Sequence, residues 1–371
     1  MTTGMTAASA VVARRDGAGF AIEDVLVPDP VRDEVRVAVD AVGMCHADLA
    51  ARDGDFPVPL PAVLGHEGTG LVTAVGPAVR DVAIGDRVVL TFDACHRCRA
   101  CRSGWLTRCE HYMEMNFGTA STTHGAARSV RTATGDVFAS FFGQSSFATV
   151  ALASERNAVV VPDEAPAHLL APLGCAVQTG AGAVLCTARP AVGAVVAVVG
   201  LGPVGFSALI AAACFTPSEE VIAVDVNSNR LALAAELGAS RTIDARDDPD
   251  LESLRGSGGV DVILECSGSP RALEPALASL RRGGTLVQVG APAFGTTAPF
   301  DVAAVVNGSI TIRGTVEGDS RPREIITWLE RRVVDGRWPL HRLIQPYRMD
   351  EATTAADDMT AGLTIKPVLI T

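Results

Sequence analysis

The spacing of hydrophobic positions changes near residue 165 of the chain. Before that point, short runs alternate apolar and polar residues between glycines, prolines and aspartates, as at 35–39 and 86–90. A period of two residues places every second side chain on the same face of a strand. The first part of the chain is therefore predicted to be rich in β-structure.

From about residue 180 to 314, apolar runs of strand length alternate with longer helical stretches. The predicted strands and helices follow one another at 195–199, 203–214, 221–224, 228–237, 260–265, 271–280 and 285–289. Strands separated by helices predict right-handed crossovers and a parallel sheet. The tail after residue 317 adds a helical run at 323–334 and a final short strand at 368–371. The fold class is therefore α/β.

Length and composition indicate a folded chain of about two domains. The chain has 371 residues, of which 48% are hydrophobic and 20% charged, and a domain takes roughly 150 residues. A net charge of −11 opposes binding to a phosphate backbone, so no nucleic-acid partner is predicted. Lys366 is the only lysine, and no G-K-[ST] motif occurs. Both facts argue against a Schiff-base enzyme and a P-loop.

The N-terminal residues and the cysteines bear on the compartment. Residues 1–13 lack the basic-then-apolar order of a secretory signal, so we expect a cytoplasmic protein. Residues 190–218 carry no charge and are long enough to cross a bilayer. The turn Gly200-Leu201-Gly202-Pro203 interrupts them as in an α/β core, so no membrane association is predicted. In a reducing compartment, nine cysteines favour metal ligation over disulfides.

Four cysteines form the strongest local motif, Cys95-x2-Cys98-x2-Cys101-x7-Cys109. Four thiolates on one short loop can close a tetrahedral shell around Zn²⁺ and leave no position for a substrate. The spacing therefore predicts a structural zinc site. An iron–sulfur cluster, which can begin with the same C-x2-C-x2-C spacing, stays open at this point.

A second set of candidate ligands is dispersed along the chain as Cys45, His66 and Cys175. Two thiolates and one imidazole would make a zinc centre with an open fourth position, as catalytic zinc requires. Spacing alone does not bring these residues together. Buried packing beside glycines is the competing interpretation.

A glycine motif, Gly200-x-Gly202-x-x-Gly205, follows a five-residue apolar run and opens a predicted helix. Asp225 ends the next predicted strand, which completes the sequence context of a dinucleotide site. The glycines allow close approach of the pyrophosphate, and the carboxylate can accept from ribose hydroxyls while repelling a 2′-phosphate. The motif predicts NAD rather than NADP. An ordinary glycine turn is the alternative.

Together these residues resemble the zinc-dependent medium-chain alcohol dehydrogenases, from Cys45 to Lys366. The stretches 141–148, 172–182 and 317–320 are similar to the aryl (benzyl) and terpenoid alcohol branch. The resemblance implies a GroES-like β-rich catalytic domain at 1–180 and a Rossmann doubly wound parallel-sheet domain at 181–315. Residues 316–371 would return to the catalytic domain.

The resemblance also implies two zinc ions per chain, both in the catalytic domain, and it displaces the iron–sulfur interpretation. Cys45, His66 and Cys175 become the expected ligands of the catalytic zinc. Asp48 is expected to orient the His66 ring, and Glu67 to lie behind the metal.

For NAD, the resemblance implies contacts outside the glycine motif. His46 is expected at the pyrophosphate, and Lys366 there too, although a lone lysine could match by chance. The remaining expected contacts are Thr179 and Val204 beside the nicotinamide and Arg230 at the adenosine ribose.

Position 47 departs from the family pattern. A serine or threonine usually stands there and passes the substrate proton outward, but this chain has Ala47, and Ala50 offers no histidine farther along. Loss of a proton relay is costly for alcohol oxidation. Thr91, whose backbone is expected near the pocket, is a candidate substitute for the relay hydroxyl. Met115, Phe117 and Ala291 are expected to line the pocket.

The leading hypothesis is an NAD-dependent oxidoreductase that interconverts a bulky primary alcohol, aromatic or allylic, and its aldehyde. Because of Ala47, a rival is an NADH-dependent conjugate reductase of a C=C or C=N bond in a natural product. A non-catalytic NAD or redox sensor is the alternative of another class. A homo-oligomer, either dimer or tetramer, is expected. The physiological substrate and the direction of reaction stay open.

Overall fold

The structure is a computed structural model that describes residues 4–15, 19–118, 128–256 and 258–371. The chain divides into two units. The first contains Met1–Cys175 and Arg321–Thr371, and the second contains Ala176–Ser320. The junctions thus fall at 175/176 and 320/321, whereas the family resemblance implies junctions at 180/181 and 315/316.

The strands in chain order are β1 (Met5–Ala13), β2 (Phe20–Pro28), β3 (Glu34–Gly43), β4 (Ala62–Val63), β5 (Gly68–Val75), β6 (Arg87–Leu90), β7 (Ser129–Thr132), β8 (Gly135–Phe138), β9 (Val150–Ser154), β10 (Ala158–Val160), β11 (Val195–Val199), β12 (Glu220–Asp225), β13 (Arg241–Asp244), β14 (Val260–Glu265), β15 (Leu280–Gln288), β16 (Thr311–Gly314), β17 (Ile344–Arg348) and β18 (Lys366–Ile370).

The α-helices are α1 (His46–Asp53), α2 (Arg99–Arg102), α3 (Tyr112–Phe117), α4 (Ala167–Leu170), α5 (Ala176–Gly182), α6 (Pro203–Phe215), α7 (Ser228–Glu236), α8 (Glu252–Gly256), α9 (Pro270–Ala278), α10 (Val302–Gly308), α11 (Pro322–Val334) and α12 (Ala352–Thr360). A π-helical segment, Ala183–Ala188, follows α5. Short 3₁₀ helices occur at Leu106–Arg108, Phe141–Gly143, Glu155–Asn157, Ala171–Gly174, Glu317–Asp319, Leu340–Arg342 and Met349–Glu351.

The first unit contains a closed β-barrel and a second β-sheet. Strands β1, β2, β7, β8 and β4 close a small barrel, and a second sheet has the order β10-β6-β5-β3-β18-β17 with β9 also paired to β3. Along β3, Val35, Val37 and Val39 are buried and alternate with less buried residues, which is the period of two predicted from the sequence. Strand β18 pairs antiparallel with β3, so the end of the chain completes the sheet that its beginning forms.

The second unit is a parallel sheet with the order β13-β12-β11-β14-β15-β16 in the described part of the chain. All five residues of β11 are buried, as expected for a central strand of a parallel sheet. The strand order reverses between β12 and β14, on either side of β11, and doubly wound sheets bind ligands at such a switch point. The predicted α/β fold and parallel sheet are confirmed.

Helix α6 explains the uncharged stretch noted in the sequence. Its residues from Gly205 to Ala212 are buried, and a helix that is apolar on all sides belongs in a protein core or a membrane. No single helix of the described ranges is long and apolar enough to span a membrane. Only the consecutive pair 167–174 and 176–188, broken at Cys175, reaches the required length and composition.

Candidate active site

Four potential metal ligands converge in the first unit. The donor atoms of Cys45, His66, Glu67 and Cys175 all lie within 4.8 Å of one another. Cys45 is the N-cap residue of α1, His66 and Glu67 lie in the turn between β4 and β5, and Cys175 follows a 3₁₀ helix. The fold thus brings together the three dispersed residues that the sequence singled out and the carboxylate of Glu67, which the resemblance also placed at this site.

Asp48 fixes the orientation of the His66 ring. One carboxylate oxygen lies 3.0 Å from His66 Nδ1 and accepts from Gly65 N at 3.0 Å. The other oxygen accepts from Cys45 N at 2.8 Å, because an acidic residue in the first turn of a helix can reach back to the N-cap. Asp48 is fully buried. The expected orienting role therefore has a direct geometric basis.

The chemistry of this donor set fits zinc. His66 Nε2 is buried and makes no hydrogen bond, an arrangement that is costly unless a ligand completes it. A hydrogen bond with Cys175 lowers the pKa of Cys45 well below its usual value, despite burial. Thiolates and a neutral imidazole held through Nδ1 are the ligands that zinc prefers.

Glu67 forms a buried ion pair with Lys366 beside these donors. The Lys366 ammonium lies 2.6 Å from Glu67 Oε2 and donates to the Met44 carbonyl at 2.7 Å. Gly43 allows this approach, since a Cβ there would lie 1.9 Å from the same oxygen. Burial raises the pKa of Glu67 to about 7, although Lys366 acts in the opposite direction. Lys366 is 2% exposed, and its contact with a pyrophosphate stays a prediction.

The four-cysteine loop forms a second, separate donor set. The sulfur atoms of the four residues also lie within 4.8 Å of one another. Backbone N–H groups point at these sulfurs, with Cys98 N at 3.2 Å from Cys95 Sγ and Cys101 N at 3.4 Å from Cys98 Sγ. All nine cysteines are free thiols. The loop therefore has the closed four-sulfur arrangement of a structural zinc site.

Phenylalanines surround the His66 ring. Phe142 stacks on it with ring centroids 4.4 Å apart, and Phe141 contacts it edge-on at 5.4 Å. Phe117 packs against both of these rings and against Phe56. Phe117 was expected near the site, whereas the two rings of the 141–148 stretch served only as a family resemblance.

The structure also shows where Ala47 and Thr91, the candidate substitute for its missing hydroxyl, lie in the first unit. Ala47 is half-buried on α1 and carries no hydroxyl. Thr91 is fully buried, and its hydroxyl donates to the Gly174 carbonyl at 2.7 Å. Thr91 thus holds the residue before Cys175. Its role in proton transfer stays a prediction. Of the other expected pocket residues, Met115 is half-buried on α3, and Ala291 is exposed in the second unit.

The glycine motif of the second unit has the geometry of a close-packed turn. Gly200 adopts a φ of +88°, and a Cβ at Gly205 would lie 1.8 Å from the Gly200 carbonyl oxygen. By contrast, a Cβ at Gly202 would meet nothing within 4 Å. Gly202 is the N-cap of α6, so the helix N-terminus opens onto free space that could receive a phosphate.

The remaining predicted cofactor residues lie in the second unit, except for His46. Asp225, at the end of β12, accepts from Leu201 N at 2.6 Å. Arg230 on α7 has a buried Nε without a hydrogen bond. Thr179 donates to Glu317 at 3.0 Å, and the next residue, Gly180, packs on the Val204 carbonyl. His46 is exposed on α1 of the first unit. These placements are compatible with the predicted contacts, which stay predictions.

Comparison with known proteins identifies the family. The chain matches the alcohol dehydrogenase GroES-like domain over residues 31–163 and the zinc-binding dehydrogenase domain over 203–331. It is 41% identical to geraniol dehydrogenase of Castellaniella defragrans, over 100% of this chain and 99% of that protein. The chain belongs to the zinc-dependent medium-chain alcohol dehydrogenase family. It is therefore an oxidoreductase, and the predicted family is confirmed.

Solved structures of this family are similar over nearly the whole chain. The benzyl alcohol dehydrogenase of Acinetobacter calcoaceticus has a TM-score of 0.93 at 40% identity, over 98% of this chain and 99% of that chain. An alcohol dehydrogenase zinc-binding domain protein of Burkholderia ambifaria has a TM-score of 0.95 at 46% identity, over 99% of each chain. These relatives agree with the predicted aryl and terpenoid branch.

Proposed function

We propose that this alcohol dehydrogenase interconverts a bulky primary alcohol, aromatic or allylic, and its aldehyde with NAD. The observation that carries the proposal is the convergence of Cys45, His66 and Cys175 around a buried, unpartnered imidazole nitrogen. Relatives named for geraniol and benzyl alcohol support the substrate class. Both alcohols carry the hydroxyl on a carbon next to an unsaturated group.

In this proposal, Cys45, His66 and Cys175 hold a catalytic zinc and the four-cysteine loop holds a structural one. When bound, the catalytic zinc would act as a Lewis acid on the substrate oxygen, and NAD would accept hydride from the neighbouring carbon. Asp48 keeps Nδ1 of His66 occupied, so Nε2 would be the nitrogen that binds the metal. Lys366 balances the charge of Glu67 in this acidic, thiolate-rich cluster.

The substrate class also has support within the first unit. Phe117, Phe141 and Phe142 make apolar aromatic surroundings for the His66 ring. Aromatic side chains pack favourably against flat, unsaturated groups. We therefore expect better turnover with benzylic and allylic alcohols than with small saturated alcohols.

The proposed NAD site is the glycine turn with Gly200, Gly202, Gly205 and Asp225. The Asp225 carboxylate would disfavour a 2′-phosphate. The substitution Asp225→Ser removes this carboxylate and should therefore reduce the difference in kcat/KM between NAD and NADP. Equal kcat/KM for both cofactors in the unmodified enzyme would contradict this part of the proposal.

Ala47 supports the second candidate, an NADH-dependent reductase of an activated C=C or C=N bond. Such a reaction needs no relay for a hydroxyl proton, so an alanine at position 47 would not slow it.

The non-catalytic sensor has no comparable support, because the donor set is intact and the relatives are named as enzymes. An oligomer, either dimer or tetramer, and a cytoplasmic location remain predictions from the sequence.

One experiment separates the two reactions. Steady-state rates with NAD(H) are measured on one preparation for benzylic, allylic and saturated primary alcohols, their aldehydes, and conjugated enals and imines. The proposal expects the highest kcat/KM for benzylic or allylic alcohol–aldehyde pairs. Turnover of the C=C or C=N bond with no aldehyde or alcohol turnover would favour the reductase. Cys175→Ala serves as the control for zinc-independent background.

A further inference from the structure

Gln144 lies between the 3₁₀ helix Phe141–Gly143 and β9, and it has no role in the proposed reaction. Its side chain is 1% exposed. The carboxamide oxygen accepts from Gly68 N at 3.1 Å and from Ser146 Oγ at 2.9 Å. The carboxamide nitrogen donates to the carbonyls of His66 at 2.9 Å and Thr91 at 3.2 Å. Because backbone partners can only donate or only accept, the orientation of the amide is unambiguous.

Two of these contacts lie on the main chain at His66. The amide holds the His66 carbonyl from one side and the Gly68 N–H from the other. A Cβ at Gly68 would lie 2.5 Å from Ser146 Cβ, so the two segments are already at their closest approach. Asp48 orients the imidazole ring, whereas Gln144 holds the peptide that carries the ring.

The Thr91 contact leads to the segment of a second ligand. Thr91 donates its hydroxyl to the Gly174 carbonyl at 2.7 Å, immediately before Cys175. A Cβ at Gly174 would lie 2.0 Å from the Leu90 carbonyl oxygen. The nitrogen of Gln144 therefore joins the His66 peptide to the strand end on which the Cys175 segment packs.

The turn that carries Gln144 has a rare backbone conformation. Phe142 and Ser145 have φ values of 49° and 48°, in the left-handed region that is costly for residues with a side chain. Such conformations persist only where surrounding contacts enforce them, and they cluster at functional sites. Here the Phe142 ring stacks on His66, and Ser145 Oγ accepts from Phe141 N at 2.8 Å.

We propose that Gln144 is a positioning residue of the metal centre. Its amide sets the His66 main chain relative to the Cys175 segment, and so sets the separation between imidazole and thiolate donors. The inference rests on the proposed zinc site at Cys45, His66 and Cys175. Gln144 itself contacts neither a ligand atom nor a substrate.

Two substitutions test this role. Gln144→Met keeps the length of the side chain and removes all four hydrogen bonds. Gln144→Glu keeps the two acceptor contacts but turns a carboxylate oxygen toward the carbonyls of His66 and Thr91. We expect both variants to retain zinc at this site about tenfold less tightly in chelator competition, within the range for lost partners of metal ligands.

Cobalt gives a readout of donor geometry that does not depend on turnover. Co²⁺ is exchanged into the Cys45, His66 and Cys175 site while zinc is kept at the four-cysteine loop. Both Gln144 variants should shift the visible absorption bands. The matched control is Asn116→Leu, since Asn116 is a buried amide that donates to the carbonyls of Asp93 and Tyr112, outside the contacts that join His66 to the Cys175 segment. It should lower the melting temperature and leave the bands unchanged.

Several outcomes would overturn the inference. Unchanged bands and zinc retention in Gln144→Met or Gln144→Glu would do so, and so would an equal band shift in Asn116→Leu. If the unmodified enzyme took up no cobalt at this site, the proposed zinc site itself would be wrong, and the inference with it. The spectrum of the unmodified enzyme therefore distinguishes failure of the proposed function from failure of the positioning role alone.

Discussion

The two sulfur-containing clusters of the first unit are built in opposite ways. The four-cysteine loop takes its donors from within Cys95 to Cys109, and backbone N–H groups of the same loop approach the sulfurs. The other cluster joins Cys45, His66 and Cys175 from three distant segments. A local loop can set its own geometry. A dispersed site depends on every contact that holds the three segments together.

The dispersed site accordingly has a layer of buried polar side chains that hold its segments. Asp48 holds the His66 ring, Lys366 pairs with Glu67, and Gln144 holds the His66 peptide. Each is buried, and a buried polar group is tolerated only when its partners are present. The comparison therefore predicts that loss of a ligand from the loop mainly lowers stability, whereas loss of a ligand from the dispersed site mainly lowers activity.

The largest effect is expected from Cys101→Ala in the four-cysteine loop. Structural zinc contributes folding free energy directly, so we expect the unfolding free energy to fall by about 5 kcal/mol or more, with one zinc lost per chain. Metal analysis and thermal unfolding check this. Two zinc ions per chain and an unchanged melting temperature would show that the loop is not a structural metal site.

Spacing explains why this loop could be predicted from the sequence and the other site only in part. The C-x2-C-x2-C pattern is a local signal, as is the glycine turn that follows β11. Cys45, His66 and Cys175 carry no such signal, and only the family resemblance joined them. The edge strands β13 and β16 were not predicted, because their few residues are mostly polar or exposed.

The polar partners were harder still to predict. Gln144 contacts main-chain atoms of the His66 segment, which lies 76 and 78 residues away in sequence. Nearly every residue has the same main-chain N–H and carbonyl groups, so these contacts leave no signal in the sequence. Lys366 drew attention as the only lysine, but its pairing with Glu67 depends on β18 returning to β3. Such contacts follow from the register of strands and turns rather than from a motif.

The next largest effect on the free energy of unfolding is expected from removal of Lys366. Lys366→Met leaves the Glu67 carboxylate buried without its cation, and breaking a buried pair in this way costs about 3–5 kcal/mol. The double variant Lys366→Met with Glu67→Gln removes both charges and should regain most of that loss. Urea unfolding of the three proteins measures the difference. A double variant as unstable as Lys366→Met would show that the isolated carboxylate is not the cause.

Cys175→Ala tests the other half of the comparison. Loss of a catalytic ligand should lower kcat/KM by more than about 100-fold, the upper range for losing only a partner of a ligand. The four-cysteine loop should keep its zinc, and the melting temperature should change much less than in Cys101→Ala. Equal losses of stability in the two variants would remove the distinction between the clusters.

The smallest expected effect concerns Ala47, in the first turn of α1 beside Cys45. If water or another group carries the proton in place of a relay hydroxyl, alcohol oxidation should be slow near neutral pH and faster as pH rises. Ala47→Thr adds a hydroxyl at this position, and acid–base assistance should then raise kcat for alcohol oxidation by about tenfold at neutral pH. The pH dependence should flatten at the same time.

The measurement is kcat for alcohol oxidation and for reduction of a conjugated C=C or C=N bond, with and without the threonine, over about pH 6 to 10, which spans typical pKa values of oxygen bound to zinc. Ala47→Val, which has the shape of threonine without its hydroxyl, controls for added bulk on α1. A gain confined to alcohol oxidation by Ala47→Thr would mean that the dispersed site is complete in its metal ligands and lacks only a proton path. Fast oxidation at neutral pH that Ala47→Thr leaves unchanged would mean that another group already supplies that path.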